Sequence, residues 1–272
     1  MDNLGASGGP ATRAPPTFGI VLEKHGPNHR IMLRSLTLAL LGTLFLSAQA
    51  QKQPYEDLLV KYVDEKYEDC LAKALSYTEK DDTKKDPLPY LYMSMSLYEM
   101  SKIEKYGMMD EYKKSDRDAV KYAEKYRKKD KNKEFFDNYA DYWSELNTMA
   151  QDAGLTSYED NQMSKAKQWF DGMVGYYPEN PGAHLMLGLS LLKSNMLKEG
   201  EAAIAKYQPA LDGAGGIGML PDDQKKLMKS ALMYYAAYLD SKGNRSKAKE
   251  VLESAKEFYA DDAEFKGAYE SY

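Results

Sequence analysis

After Pro54, apolar residues return every three to four positions almost without interruption, and no stretch alternates convincingly as a half-buried strand does. The period predicts helices over residues 55–63, 66–80, 88–103, 117–129, 132–151, 158–176, 182–194, 196–211, 221–242 and 245–259. Phe265 and Tyr269 mark a short closing helix. Punctuation residues supply the breaks. Pro87 and Pro89 prepare the third helix, and Gly107 interrupts an enlarged connection over 104–113. Asp116 is an expected N-cap for the helix over 117–129, and Gly154 an expected terminator of the helix before it. The fold class expected from this pattern is all-α.

Residues 166–207 carry the most regular arrangement. Ala166 and Phe170 share a helix face, Pro178 and Pro181 break and restart the chain, and His184, Leu187, Gly188 and Leu191 follow. Gly200, Ile204 and Tyr207 fall 34 residues after Ala166, Phe170 and Met173. Gly188 and Gly200 are the small residues that let two antiparallel helices approach closely. Leu232, Tyr235, Ala236 and Leu239, then Ala248, Leu252 and Ala255, repeat the scheme, with Ala236 twelve residues before Ala248 as Gly188 is before Gly200. This resembles the tetratricopeptide repeat, a 34-residue helical hairpin with the pattern W-x2-L-G-x2-Y and A-x3-F. The resemblance is best over 159–260 and weaker over 54–158, where insertions near 104–113 and 148–158 break the spacing. It implies an α-α superhelix, a solenoid of about four helix pairs over 51–272, in which each unit buries its apolar face only against a neighbour.

The first fifty residues follow another pattern. Residues 1–31 are rich in Gly and Pro, and Met32-Leu33-Arg34 then precedes an apolar run over 36–46 ending in Ala48-Gln49-Ala50. That is a signal-peptide layout over 32–50, with Met32 the expected biological start and 1–31 an over-long reading of the gene. The run is shorter than the roughly 20 apolar residues a membrane span requires. Cleavage after Ala50 keeps 33 of the 37 Lys and Arg and 40 of the 42 Asp and Glu, a net charge of −7. That sign disfavours nucleic acid and anionic membranes as partners. Cys70 has no second cysteine to pair with, so packing must hold the fold. A hydrophobic content of 43% is enough for a globular core. The 23 tyrosines against 7 Phe and 2 Trp suit thin helical layers, where a ring packs while its hydroxyl reaches out.

Candidate chemistry is sparse. Residues 213–218 spell G-x-G-x-x-G, but a helix, not a strand, is expected before them, so an inter-helix loop is the reading. His184 sits where the repeat carries a packed aromatic, and it is the one histidine after residue 50. With one His and one Cys far apart, neither a zinc site nor a Cys/His nucleophile is assembled, and neither a catalytic residue nor a cofactor is expected. The carboxylate pairs Asp81/Asp82, Asp222/Asp223 and Asp261/Asp262 fit turns and helix starts. The basic run over 121–133 fits a solvated face at a helix C-terminus, and Asn244-Arg245-Ser246, though a glycosylation sequon, reads as a tight turn.

The resemblance places a binding face on the first helix of each pair. Leu185, Leu189, Leu192 and Lys193 are expected there in one pair, and Ser230, Met233, Ala237 and Asp240 in the next. Their mixed character suits an extended peptide or a partner helix. The Lys, Asn and Arg set by which some relatives of this repeat clamp a C-terminal carboxylate is absent from these positions. The expected function is a non-enzymatic scaffold or adaptor of the cell envelope, periplasmic or outer-membrane-associated, since the leader resembles those of Bacteroidetes-type secreted proteins. The alternative is a glycan binder similar to SusD-like envelope proteins, recognisable by an exposed row of Tyr or Trp.

Overall fold

The computed structural model describes residues 55–272, and every regular element among them is helical. The expected signal peptide over 32–50, the residues before it and the expected start of the repeat domain at Gln51 lie outside the described residues. The chain enters through α1 (Glu56–Val63) and α2 (Tyr67–Thr78), joined where Glu65 takes a left-handed φ of 59°. Leu58, Cys70 and Ala74 are buried here against Tyr92 and Met93 of α3 (Pro87–Ser101). Pro87 occupies the first turn of α3, where its missing N–H costs nothing. α3 is apolar all round because α2 covers one side and α5 (Ser115–Lys129) another. Between them the enlarged connection contains α4 (Glu104–Gly107), pinned by buried Tyr106, whose ring meets Tyr112 edge-on at 5.6 Å.

Two expected capping residues are corrected. Lys114, not Asp116, stands at the cap of α5; Asp116 lies in the first turn, where its carboxylate accepts from the N–H of Arg117 at 2.8 Å and complements the helix dipole. Gly154 does not end its helix. Residues 130–135 form a turn in which buried Asp130 accepts from the N–H groups of Glu134 and Phe135. A 3-10 turn over Phe136–Tyr139 leads into α6 (Ala140–Glu159), which runs through Gly154. A Cβ at Gly154 would lie 2.8 Å from Cζ of Phe170, so this glycine makes room for a ring on α7 (Met163–Tyr176). Tyr158 therefore belongs to α6, and Asn161, at φ 60°, makes the turn.

α8 (Pro181–Lys193) starts with Pro181 in its first turn and with Asn180 accepting from the N–H of Ala183 at 3.1 Å. It is buried on every side, packed by α7, by α9 (Leu197–Ile204) and by α11 (Asp222–Ser241). The expected single helix over 196–211 is two: α9 stops at Ile204 and α10 (Tyr207–Gly213) follows. Pro209 is the cause, because it has no N–H for the carbonyl of Ala205 and its ring crowds that group. Asn244 caps α12 (Arg245–Glu253), which ends six residues earlier than expected, and Asp262 caps α13 (Ala263–Glu270).

Tyrosines tie neighbouring elements together. All 23 are buried or half-buried, and several donate to a carboxylate on another element: Tyr77 to Asp57 at 2.7 Å, Tyr62 to Glu99 at 3.5 Å, Tyr55 to Asp86 and Tyr269 to Glu253. The ring contributes burial, and the hydroxyl, expected to reach out to water, is held in these cases by a carboxylate of another element.

Candidate functional site

The eight residues expected on the binding face separate into two groups. Leu185 and Leu189 are 0% exposed and Leu192 7%, so these three side chains fill the interior around α8. Lys193 and Ala237 are exposed, and Ser230, Met233 and Asp240 are half-buried. The Lys193 ammonium lies 4.0 Å over the ring of Tyr158, and Asp240 faces Arg245 at 3.7 Å. α6 and α11 bond directly to each other: Asp223 accepts from Asn147 at 2.8 Å and Ser144 at 3.3 Å, and Lys226 faces Asp152 at 3.5 Å. Behind this seam, Tyr176 in the core donates to Asn147 at 2.7 Å, while burial pushes the Asp223 carboxyl up.

A larger opening lies one step toward the N-terminus. A cleft of about 640 Å³ separates α3 from α6 and is walled on its third side by the connection after α4. Tyr98, Lys102, Tyr112, Glu145, Thr148 and Met149 line it. The Lys102 ammonium sits 2.6 Å from Glu99, 3.8 Å from Glu145 and 4.3 Å over the ring of Tyr98. Burial, and then a hydrogen bond to Glu145, push the Tyr98 hydroxyl well above its ordinary range, so it stays a proton donor. The cleft thus presents two aromatic rings, the cations of Lys102 and Lys113, the carboxylates of Glu145 and Asp116, and several hydroxyls. Such a wall can hydrogen-bond a polar chain while its rings pack against apolar side groups. Among the described residues no group of three or more His, Cys, Asp or Glu is placed to hold a metal ion. None of these lining residues was picked out by the repeat pattern; the insertion at 104–113 was the one sequence signal pointing here.

The remaining motifs are accounted for locally. The Gly-rich stretch over 213–218 closes α10 and turns with Gly215 and Gly216 at φ 83° and 93°, with a helix rather than a strand ahead of it. Cys70 is fully buried, donates to the carbonyl of Leu58 and has its thiol pushed up by burial. In the basic run, Arg127 and Lys133 converge on Glu179 at 3.1 and 2.7 Å, and Lys128 pairs with Glu124. No helix among the described residues is long and apolar enough to cross a membrane.

His184 is 5% exposed; its Nε2 lies 2.8 Å from the carbonyl of Pro178, and its Nδ1 has no partner. Burial pushes it below its ordinary value of 6.5, with Lys206 adding to the effect while the Pro178 carbonyl and Glu179 oppose it. The unfolded chain therefore takes up a proton that the folded chain refuses, and stability falls as pH drops below about 6.5. The urea midpoint of His184→Leu is expected to fall less than that of the parent between about pH 7 and pH 5. Parallel pH profiles for the two proteins would refute this.

No protein-family model, curated protein or solved structure matches the chain.

Proposed function

We propose that the chain is an exported, non-enzymatic scaffold of tetratricopeptide type, working in the periplasm or at the outer membrane, that holds a segment of a partner protein. The observation that carries this reading is the cleft between α3 and α6, the first helices of successive hairpins, with Tyr98, Lys102 and Glu145 facing one space. The repeat reading is supported by α8 with α9 and α11 with α12, which pack as consecutive hairpins, with Gly188/Gly200 and Ala236/Ala248 at matching positions. A superhelix of such pairs gives a long surface along which a peptide or helix can lie. Lys193, Met233 and Ala237 extend that surface toward the C-terminus, while Leu185, Leu189 and Leu192 support it from inside. The glycan alternative has less support, because every Tyr and Trp among the described residues is buried or half-buried.

Capture from the envelope fraction tests this. The purified chain should retain one protein at equal stoichiometry, and Lys102→Glu, with an unchanged circular dichroism spectrum, should weaken retention by about tenfold, the equivalent of one lost charge-assisted contact. Retention of polysaccharide without protein would overturn the proposal. Capture equally strong with Lys102→Glu would remove the cleft from it.

A further inference from the structure

Buried polar atoms without a hydrogen-bond partner are rare, and each calls for an explanation. Among the described residues, five of the eight such side-chain atoms belong to one neighbourhood, the turn between α7 and α8 with the residues packed on it: Arg127 Nε, Glu179 Oε2, Asn180 Nδ2, His184 Nδ1 and Gln224 Nε2. Beside this turn opens a cleft of about 480 Å³, within the 300–1,000 Å³ that small-ligand sites occupy. Tyr177, Pro209, Met219 and Leu220 form apolar walls, and the Gly-rich stretch contributes Gly213 and Ala214 to its edge. Met219 is 73% exposed.

The polar groups on these walls are specific. Glu179 Oε1 already accepts from Arg127 at 3.1 Å and pairs with Lys133 at 2.7 Å, while Oε2 accepts nothing. Gln224, in the first turn of α11, is 2% exposed and lines the cleft; its Nε2 has no partner at full hydrogen-bond geometry, although it lies near enough to the Tyr177 hydroxyl to oppose the upward push that burial gives that phenol. The terminal torsion of a glutamine is soft, so its amide turns into the cleft at little cost. One side therefore offers an acceptor and the other a donor, between apolar walls. A free anion is a poor match, because Glu179 already meets the charge of Lys133. A metal ion is a poor match too, because the single carboxylate is flanked by two cations. A secondary amide carries an N–H and a C=O on opposite sides of one flat group, and an extended peptide places apolar side chains beside it.

We propose that this cleft binds a short extended peptide through a backbone amide, whose N–H is donated to Glu179 Oε2 and whose carbonyl accepts from Gln224 Nε2, with an apolar side chain against Met219 and Pro209. The site is separate from the cleft between α3 and α6 and does not rest on that reading. N-acetyl-leucine-N′-methylamide, a small compound with these parts, is the probe, followed by saturation-transfer NMR on the full chain. Carbon-13 labelling of the methionine methyls, with Met219→Leu to assign the signal, locates the contact. Saturable binding that shifts the Met219 methyl is expected. Gln224→Leu, which keeps the side-chain volume and removes the unmet donor, should weaken binding about tenfold. Met219→Lys, on the exposed rim where folding is indifferent to it, should weaken it as well, and Lys102→Glu should leave it unchanged. Absence of saturable binding up to the solubility limit of the probe would overturn the proposal. So would equal binding by Gln224→Leu, or an equal Met219 shift with methyl isohexanoate, which has the apolar body without an N–H.

Discussion

Trp143→Ala is expected to cost about 3–5 kcal/mol, the range for removing a buried tryptophan. Trp143 is 2% exposed and stands where three helices meet. Its ring stacks on Phe136 at 4.7 Å with 8° between planes, on Tyr126 of α5 at 5.4 Å and on Tyr176 of α7 at 6.1 Å. Its indole N–H donates to the carbonyl of Phe136 at 2.8 Å, which fastens the 3-10 turn to the start of α6. Alanine removes all of these at once, and the rigid rings around it cannot collapse into the gap. A domain of this size has about 5–15 kcal/mol in hand, so about a fifth of the stability or more is at stake. Trp143→Phe keeps a ring in the stack and loses the indole donor, and should cost about 1–2 kcal/mol. Urea unfolding followed by far-ultraviolet circular dichroism measures both, and the fluorescence of Trp169 reports separately on α7. A loss under about 1 kcal/mol for the alanine variant would show that the stack is not a keystone.

Which parts of this architecture could be read from the sequence follows from where their causes lie. The turns at Pro178–Pro181 and Gly243–Asn244 are caused within a few residues, and the helices that follow them begin within a residue of where expected, after Asn180 and after Asn244. Gly154 misled because its cause is remote: the ring of Phe170 on the next helix needs the space, so a glycine that looked like a terminator is a packing residue. The break before α10 was local and visible, since Pro209 forbids a continuous helix through Ala205. The burial of Leu185, Leu189 and Leu192 had its signal in α8 itself, where residues 181–192 contain no charged side chain and so leave no face for water. The cleft at Tyr98, Lys102 and Glu145 was beyond a pattern search. Its two helical walls come from positions more than forty residues apart, the end of a helix buried on all sides and one face of another, and nothing in either stretch alone points to the other.

Gly188→Ala is the second large effect expected, and it tests the feature on which the repeat resemblance depends. A Cβ at Gly188 would lie 2.5 Å from Cγ1 of Ile204, 2.8 Å from the carbonyl oxygen of Gly200 and 3.0 Å from the backbone nitrogen of Ile204. Two of those three neighbours are backbone, so a rotamer change at Ile204 cannot relieve the clash, and α8 and α9 must separate. Overpacking of this kind costs about 1–3 kcal/mol. Alanine recovers about 1 kcal/mol of helix propensity, so the net loss is smaller for Ala and larger for Val, whose extra methyls enlarge the clash without that gain. Thermal unfolding should therefore shift down by about 2–4 °C for each kcal/mol lost. Gly213→Ala is the control, because nothing lies within 4 Å of a Cβ there. Gly200 faces the same contact from the other helix, with a Cβ 3.0 Å from the carbonyl oxygen of Gly188 and 2.7 Å from Cγ of Leu192. Once the helices have moved apart for one alanine, the second meets a gap already opened. The Gly188→Ala/Gly200→Ala double variant should then lose less than the two single losses added together. Strict additivity would mean that the two glycines do not share one close approach.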